Sequence, residues 1–409
     1  MQTDNSETSQ SAGALPTLLA VMFINLLGFG IVVPLLPFYA KSFQAPAWQI
    51  ALIFSAYSIG AFFGEPFWGR LSDRIGRKPL LVSTVAGNCL CYLALAFAPN
   101  VTIAFLVRLL GGLASGNGAV VQGYIADITP PDERTQRMSL LGAAYNFGFI
   151  LGPALGGLLA HPSAGHAGFR LPLLVASGLS ATCAAGLFLF LRESRTRKTQ
   201  YVSRPDRWAV LGDALSNSTI RRLMLVTFLG GAAFMGIESI FGLWTQARFH
   251  WGPQQVGSAF AITGVVAASC QLLVTGRLSR HYGGPLILSA GMALTVVCTA
   301  LQPFSIGGAT VVPLLAIAAF GQSIAWPNVS ALISRNVSWE HQGQFLGLNN
   351  AVGALARVAG PFCAALIFSN LGINMPFFVA GLVVLPAIFL AWSAQAPLDR
   401  AEVEPSAAE

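Results

Sequence analysis

Residues 69–81 read GRLSDRIGRKPLL, from Gly69 to Leu81. Arg70, Asp73, Arg74, Arg77 and Lys78 crowd this hinge, and long apolar runs flank it on both sides. Charged residues make up only 10% of the chain, against about 25% in a soluble protein. A charge cluster between two apolar runs reads as a turn between membrane-spanning helices. Each span needs about 20 mostly apolar residues, and lipid leaves no partner for an exposed polar backbone.

The same rhythm continues outward from that turn. The 409 residues are 54% hydrophobic, with mean hydropathy +0.65. Apolar runs break at charge clusters, Pro/Gly pairs and short polar turns. The breaks predict twelve helical spans, near 15–40, 49–70, 79–98, 101–126, 137–160, 170–191, 220–246, 254–276, 285–303, 310–333, 344–368 and 374–394. The six cysteines lie in apolar segments without metal-ligand spacing, and the five histidines fall near segment ends. Neither a metal site nor a cofactor is expected from them. The N-terminal MQTDNSETSQSAG has no basic residue, so the first apolar run is expected to remain as a span rather than act as a removed leader.

The basic residues give an orientation. Arg70, Arg74, Arg77 and Lys78 follow span 2; Arg134 and Arg137 follow span 4; Arg192, Arg195, Arg197, Lys198, Arg204, Arg207, Arg221 and Arg222 follow span 6. Arg277, Arg280 and Arg335 follow spans 8 and 10, while the opposite side carries Lys41, Arg170 and Arg248. This bias places the even-numbered turns and both termini in the cytoplasm. The net charge of +7 thereby has a topological cause, and no nucleic-acid partner is called for. The expected organisation is a cytoplasmic tail over 1–14, a six-helix bundle over 15–191, a cytoplasmic connection over 192–219, a second six-helix bundle over 220–394 and a cytoplasmic tail over 395–409.

The halves repeat. GRLSRHYGGPLIL begins at Gly276, 207 residues after Gly69, and the Gly360-Pro361 of span 11 lies 208 after the Gly152-Pro153 of span 5. At these offsets Asp73 corresponds to Arg280 and Asp127 to Arg335. One reading is that acids of the first half and bases of the second attract across a closing cytoplasmic gate, through pairs worth about 0.2–1 kcal/mol each. The other is positive-inside topology alone. Parallel six-span halves with a site between them are a transporter design.

Residues 69–81 resemble the loop signature of the major facilitator superfamily. RLLGGLASGNGA from Arg108 resembles its span 4 signature, and GFILGPALGG from Gly148 the span 5 signature of its drug/proton antiporters. LLGFGIVVPLLP, YIADITPPDER, RFHW and HQGQFLG are similar to the tetracycline/proton antiporter group. The resemblance covers nearly the whole chain. It implies an all-α membrane protein with twelve transmembrane helices in two pseudo-symmetric six-helix bundles. It also implies a multi-pass location in a bacterial inner (cytoplasmic) membrane. Gly69, Asp73, Arg74, Gly76, Arg77 and Asp127 would form the cytoplasmic gate, with Asp73 accepting from Arg77 or from a helix N-terminus. Gly148, Gly152, Pro153, Gly156 and Gly157 would form the antiporter motif, a small-residue stripe permitting close helix contact. Where the tetracycline pumps carry acids in spans 1, 3 and 9, this chain has Asn25, Cys91 and Thr295, which argues against tetracycline as substrate.

Four ionisable residues fall inside predicted spans: Glu65, Arg108, Glu238 and Arg357. Each is expensive in lipid and hence a functional candidate. Glu238, in FMGIESIFGLW, is the first choice for proton coupling, because desolvation disfavours the charged form of a lone carboxyl. Its alternative is a fixed salt bridge with an arginine. Glu65 reads as a second proton site, a gate element or a structural acid. By resemblance Arg108 assists proton transfer; otherwise it anchors a hydrogen bond in the bundle. Arg357 would neutralise an acid or attract an anionic substrate group. Asn25, Tyr57, Tyr145, Phe234, Phe241, Trp244 and Trp326 are candidate cavity walls, suited to amphipathic cations.

The expectation is a proton-coupled antiporter exporting small amphipathic compounds, working as a monomer by alternating access. The alternative within the same fold is a transporter of a sugar, amino acid or other metabolite. Nothing in the sequence resembles a nucleotide loop, HExxH, GxSxG or cysteine cluster, so no enzyme is expected.

Overall fold

The computed structural model describes residues 4–115, 117–129, 134–194, 207–337 and 341–393. The side chains of Asp73, Arg134, Arg137, Tyr145 and Arg280, and the tail 395–409, lie outside the described residues. Among the described residues regular structure is all helical: α1 Asp4–Val32, α2 Leu36–Lys41, α3 Ala47–Ile75, α4 Arg77–Ala96, α5 Val101–Leu113, α6 Asn117–Ile128, α7 Arg134–Leu159, α8 Arg170–Phe190, α9 Arg207–Ser216, α10 Ser218–Phe249, α11 Pro253–Cys270, α12 Gly276–Tyr282, α13 Gly284–Leu301, α14 Gly308–Arg335, α15 Gln342–Asn370 and α16 Met375–Ser393. Ten helical segments there are long and apolar enough to cross a membrane, and two shorter apolar pieces, Val101–Leu113 and Ile150–Leu159, fall in the remaining two expected spans.

The departures from twelve plain helices have local causes. The first span is α1 and α2 joined by a 3-10 turn over Val33–Leu35, where Pro34 and Pro37 remove backbone donors. Span 4 is broken between Leu113 and Asn117, in a stretch of glycine, serine and asparagine with weak helix preference. The Leu113 carbonyl freed there accepts the Trp68 Nε1–H. In span 8 a π-helical turn over Gln271–Thr275 separates α11 from α12. Helix α1 already begins at Asp4, inside the polar tail, and α9 occupies part of the 192–219 connection.

The helices gather into two compact units. The first holds Met1–Val202, Met235–Ala268 and Arg357–Pro376; the second holds Ser203–Phe234, Ser269–Ala356 and Phe377–Glu409. In the first unit Leu18, Met22, Leu80, Val121, Tyr124 and Leu187 join α1, α4, α6 and α8 in one core. In the second, Leu223, Leu288, Met292, Val329, Leu332 and Phe345 join α10, α13, α14 and α15. Leu90, Phe188, Phe190, Leu382 and Phe389 are among the large apolar side chains left exposed, as lipid contact requires. Between helices the tight contacts come from small residues, the expected device where lipid and side chains are equally apolar. Gly60 and Gly64 of α3 sit against the α5 backbone, and Gly291 of α13 against Gly321 of α14.

The repeat is visible in the backbone. Gly76, at φ 105° and ψ 160°, closes α3 and its N–H donates to Ser72 O. Gly283, at φ 81° and ψ 148°, closes α12 and its N–H donates to Ser279 O. Both positive φ values suit glycine, which has no Cβ to clash.

Candidate functional site

The turn at 69–81 is a knot of polar contacts. Helix α4 starts immediately after Gly76, so Arg77 stands at its first position. Its guanidinium is buried and donates from Nε to Asp127 Oδ2 at 3.1 Å and from Nη1 to Ser72 Oγ at 2.6 Å. Ser72 in turn donates to Gly69 O at 2.7 Å, and Ser194 Oγ donates to Asp127 Oδ2 at 3.2 Å. Room for the guanidinium comes from Gly123 on α6, where a Cβ would lie 2.7 Å from Arg77 Cζ.

A second carboxylate completes the knot. Glu193 accepts the backbone N–H of Arg77 at 2.8 Å and of Lys78 at 3.1 Å. Those are two of the free donors at the start of α4, where the helix dipole favours an anion. Tyr124 donates to Arg192 O at 2.6 Å, pinning the segment that carries Glu193. The anion at the start of α4 is Glu193, while the Asp73 side chain lies outside the described residues. The structure also places Asp127 on Arg77, within its own unit. Arg74 is exposed. Ser72, Gly123, Glu193 and Ser194 were not singled out from sequence. The one available signal was a lone acid beside the basic residues after span 6.

The charges within the spans differ in how far they are exposed. Arg108 on α5 is only 4% exposed. Its guanidinium lies 4.8 Å from the Tyr57 ring centre, and that ring stands 5.3 Å from Phe29. No acceptor among the described residues reaches Arg108 Nε. Glu65 on α3 and Arg357 on α15 are both exposed, and no ion pair between them is seen. Glu238, in the middle of α10, is half-buried and has no ion-pair partner among the described residues. The fixed salt bridge weighed as its alternative role therefore has no described arginine to form it.

The span 5 stripe packs as its small residues allow. Gly148, Gly152 and Gly156 of α7 lie on the α1 backbone at Phe23, Gly30 and Ile31, and Gly157 on Pro253 and Gly257 of α11. Pro153 interrupts α7 from within. The candidate wall residues are not equivalent. Phe241 and Trp244 are fully buried in an aromatic group with Phe260 and Phe249, and Trp244 donates to Asn374 Oδ1 at 2.9 Å. Phe234 and Trp326 belong to the second unit, where Trp326 donates to Gln322 Oε1 at 2.7 Å. The Asn25 Oδ1 atom is buried without a partner among the described residues. Thr295 spends its hydroxyl on the backbone at Gly291 and Ala318. No cluster of metal-ligating side chains occurs among the described residues.

Comparison with known proteins places these features in a family. The model of the Major Facilitator Superfamily matches residues 18–300 and 223–408. The chain is 29% identical to the tetracycline resistance protein, class C, of Escherichia coli, over 88% of this chain and 91% of that one. It is 26% identical to multidrug resistance protein 2 of Bacillus subtilis (strain 168), over 91% and 93%. Among solved structures, the human organic anion transporter MFSD10 (TETRAN) matches with a TM-score of 0.70 at 25% identity, covering 93% of this chain and 99% of that one.

Proposed function

Because the chain belongs to the major facilitator superfamily, and is thus a multi-pass membrane transporter and not an enzyme, we propose that it exports small amphipathic compounds in exchange for protons. The observation that carries this reading is Glu238: a carboxyl in the middle of α10 with no ion-pair partner among the described residues. Carrying one charge without a counter-ion is costly in lipid. A proton and a cationic substrate can each neutralise it, and only one at a time. Binding of the cation then releases the proton, and the reverse on the other side of the membrane resets the site. That exclusion is what couples two fluxes.

The surrounding parts fit the same cycle. Glu65, an acid within the second span, is the candidate second proton site. The six-helix halves 15–191 and 220–394 rock about a midplane site, and the chain works as a monomer. Both termini and the even-numbered turns lie in the cytoplasm of a bacterial cell, so that the knot at Arg77 is the cytoplasmic gate. Relatives named for tetracycline and multidrug resistance support export of drugs. The uncharged Asn25, Cys91 and Thr295 support a substrate other than tetracycline.

The test uses everted vesicles with an imposed pH gradient and a fluorescent pH probe. Cationic amphipaths should collapse the gradient with wild-type protein and fail to do so with Glu238→Gln. Equal responses would remove Glu238 from the coupling step. No response to any cationic amphipath in wild type would favour metabolite transport instead.

A further inference from the structure

Arg108 is the buried charge that proton exchange at Glu238 leaves unexplained. It is 4% exposed and lies on α5 just before the break after Leu113. Its Nε has no acceptor among the described residues. It has no ion-pair partner among the described residues. The Tyr57 ring at 4.8 Å offsets part of the desolvation through its negative face, but a ring accepts no directed pair of hydrogen bonds. A guanidinium taken out of water without an acceptor is unfavourable unless something supplies one.

A carboxylate supplies the missing acceptor, and the planar fork of an arginine matches its two oxygens.

We propose that Arg108, over the Tyr57 ring, is the docking point for a carboxylate on the transported molecule, so that the preferred cargo is an amphipathic zwitterion. This rests on the transport reading above and narrows its substrate class. A zwitterion would give its cation to Glu238 and its carboxylate to Arg108, and the exporter would discriminate by both ends.

The experiment compares a zwitterionic fluoroquinolone with its methyl ester, which keeps the ring system and the cation and loses the carboxylate. Binding to the purified full chain is measured by calorimetry in chloride and in gluconate buffer. Wild type should bind the acid at least about tenfold more tightly than the ester, the scale of one charge-assisted contact. Arg108→Gln should bring that ratio to about one, and Arg108→Lys should keep part of it. Equal affinities for acid and ester in wild type would overturn the proposal, and need no variant to fold. So would an unchanged ratio in Arg108→Gln. Chloride that raises ester affinity to that of the acid would assign the site to an inorganic anion and also overturn it. Acid preference without proton movement in the vesicle assay would sink the export reading and leave this site standing.

Discussion

The two copies of the turn, Gly69–Leu81 and Gly276–Leu288, share a backbone and differ in what holds it. Each ends a helix on a glycine with positive φ, and each glycine N–H returns to a serine carbonyl four residues earlier. In the first copy the next residue is Arg77, which reaches Ser72 and Asp127. In the second it is Gly284, and Ser279 Oγ is buried with no partner among the described residues. Where the first has Asp127, the second has Arg335. The repeat therefore carries the geometry that glycine permits, while among the described residues the ionic knot belongs to one copy. The first turn is held by bonds that can be made and broken, the second by its shape.

The largest test of this contrast is Arg77→Ala. It removes the bonds to Ser72 and Asp127 and empties the space beside Gly123, and should lower stability by about 3 kcal/mol, the upper scale of hydrogen bonds made by a charged group. Thermal unfolding in one detergent reads it.

Gly76→Ala and Gly283→Ala sharpen the comparison. Both force a side chain into a backbone region nearly reserved for glycine, at about 1–3 kcal/mol each. Gly76→Ala should be the worse, because its Cβ would fall 2.5 Å from Glu193 Oε2, whereas at Gly283 it meets open space. Equal losses would mean that Glu193 gives way freely.

Glu193→Gln should cost about 1 kcal/mol, the scale of a helix-terminal carboxylate. It should also raise hydrogen exchange at the Arg77 and Lys78 amides and leave those of α13 unchanged. The smallest effect belongs to Ser279→Ala. Deleting a buried hydroxyl without a partner should leave stability within about 0.5 kcal/mol. A clear loss there would show that the second copy has a knot of its own.

Much of the architecture was legible in advance because lipid enforces it. Runs of about 20 apolar residues must be helical, and the charge clusters between them mark the turns. The knot was harder to see. Arg77 and Asp127 are 50 residues apart, and no local pattern says which of several arginines meets which acid. Asp127 was assigned from its position in the repeat to the attraction between halves; a contact within its own unit is a matter of packing, which the repeat does not encode. Glu193 lay in a connection whose basic residues dominated its reading. The break after Leu113 follows from the glycines around it, yet the same glycines also fit a tightly packed continuous span. Glu238, Arg108, Glu65 and Arg357 stood out because charge in an apolar run is rare, but their pairing was not written there. That Arg108 lies over the Tyr57 ring, and that Glu238 has no described partner, emerges only from the fold.

The most direct test of the account is proton release on binding. Purified protein in weakly buffered solution is mixed with a cationic amphipath, and pH and binding are followed together. The account predicts that wild type releases protons as substrate binds, and that Glu238→Gln binds without release. Release of equal size from both proteins, or binding to wild type with no release, would contradict exchange of proton and substrate at this carboxyl.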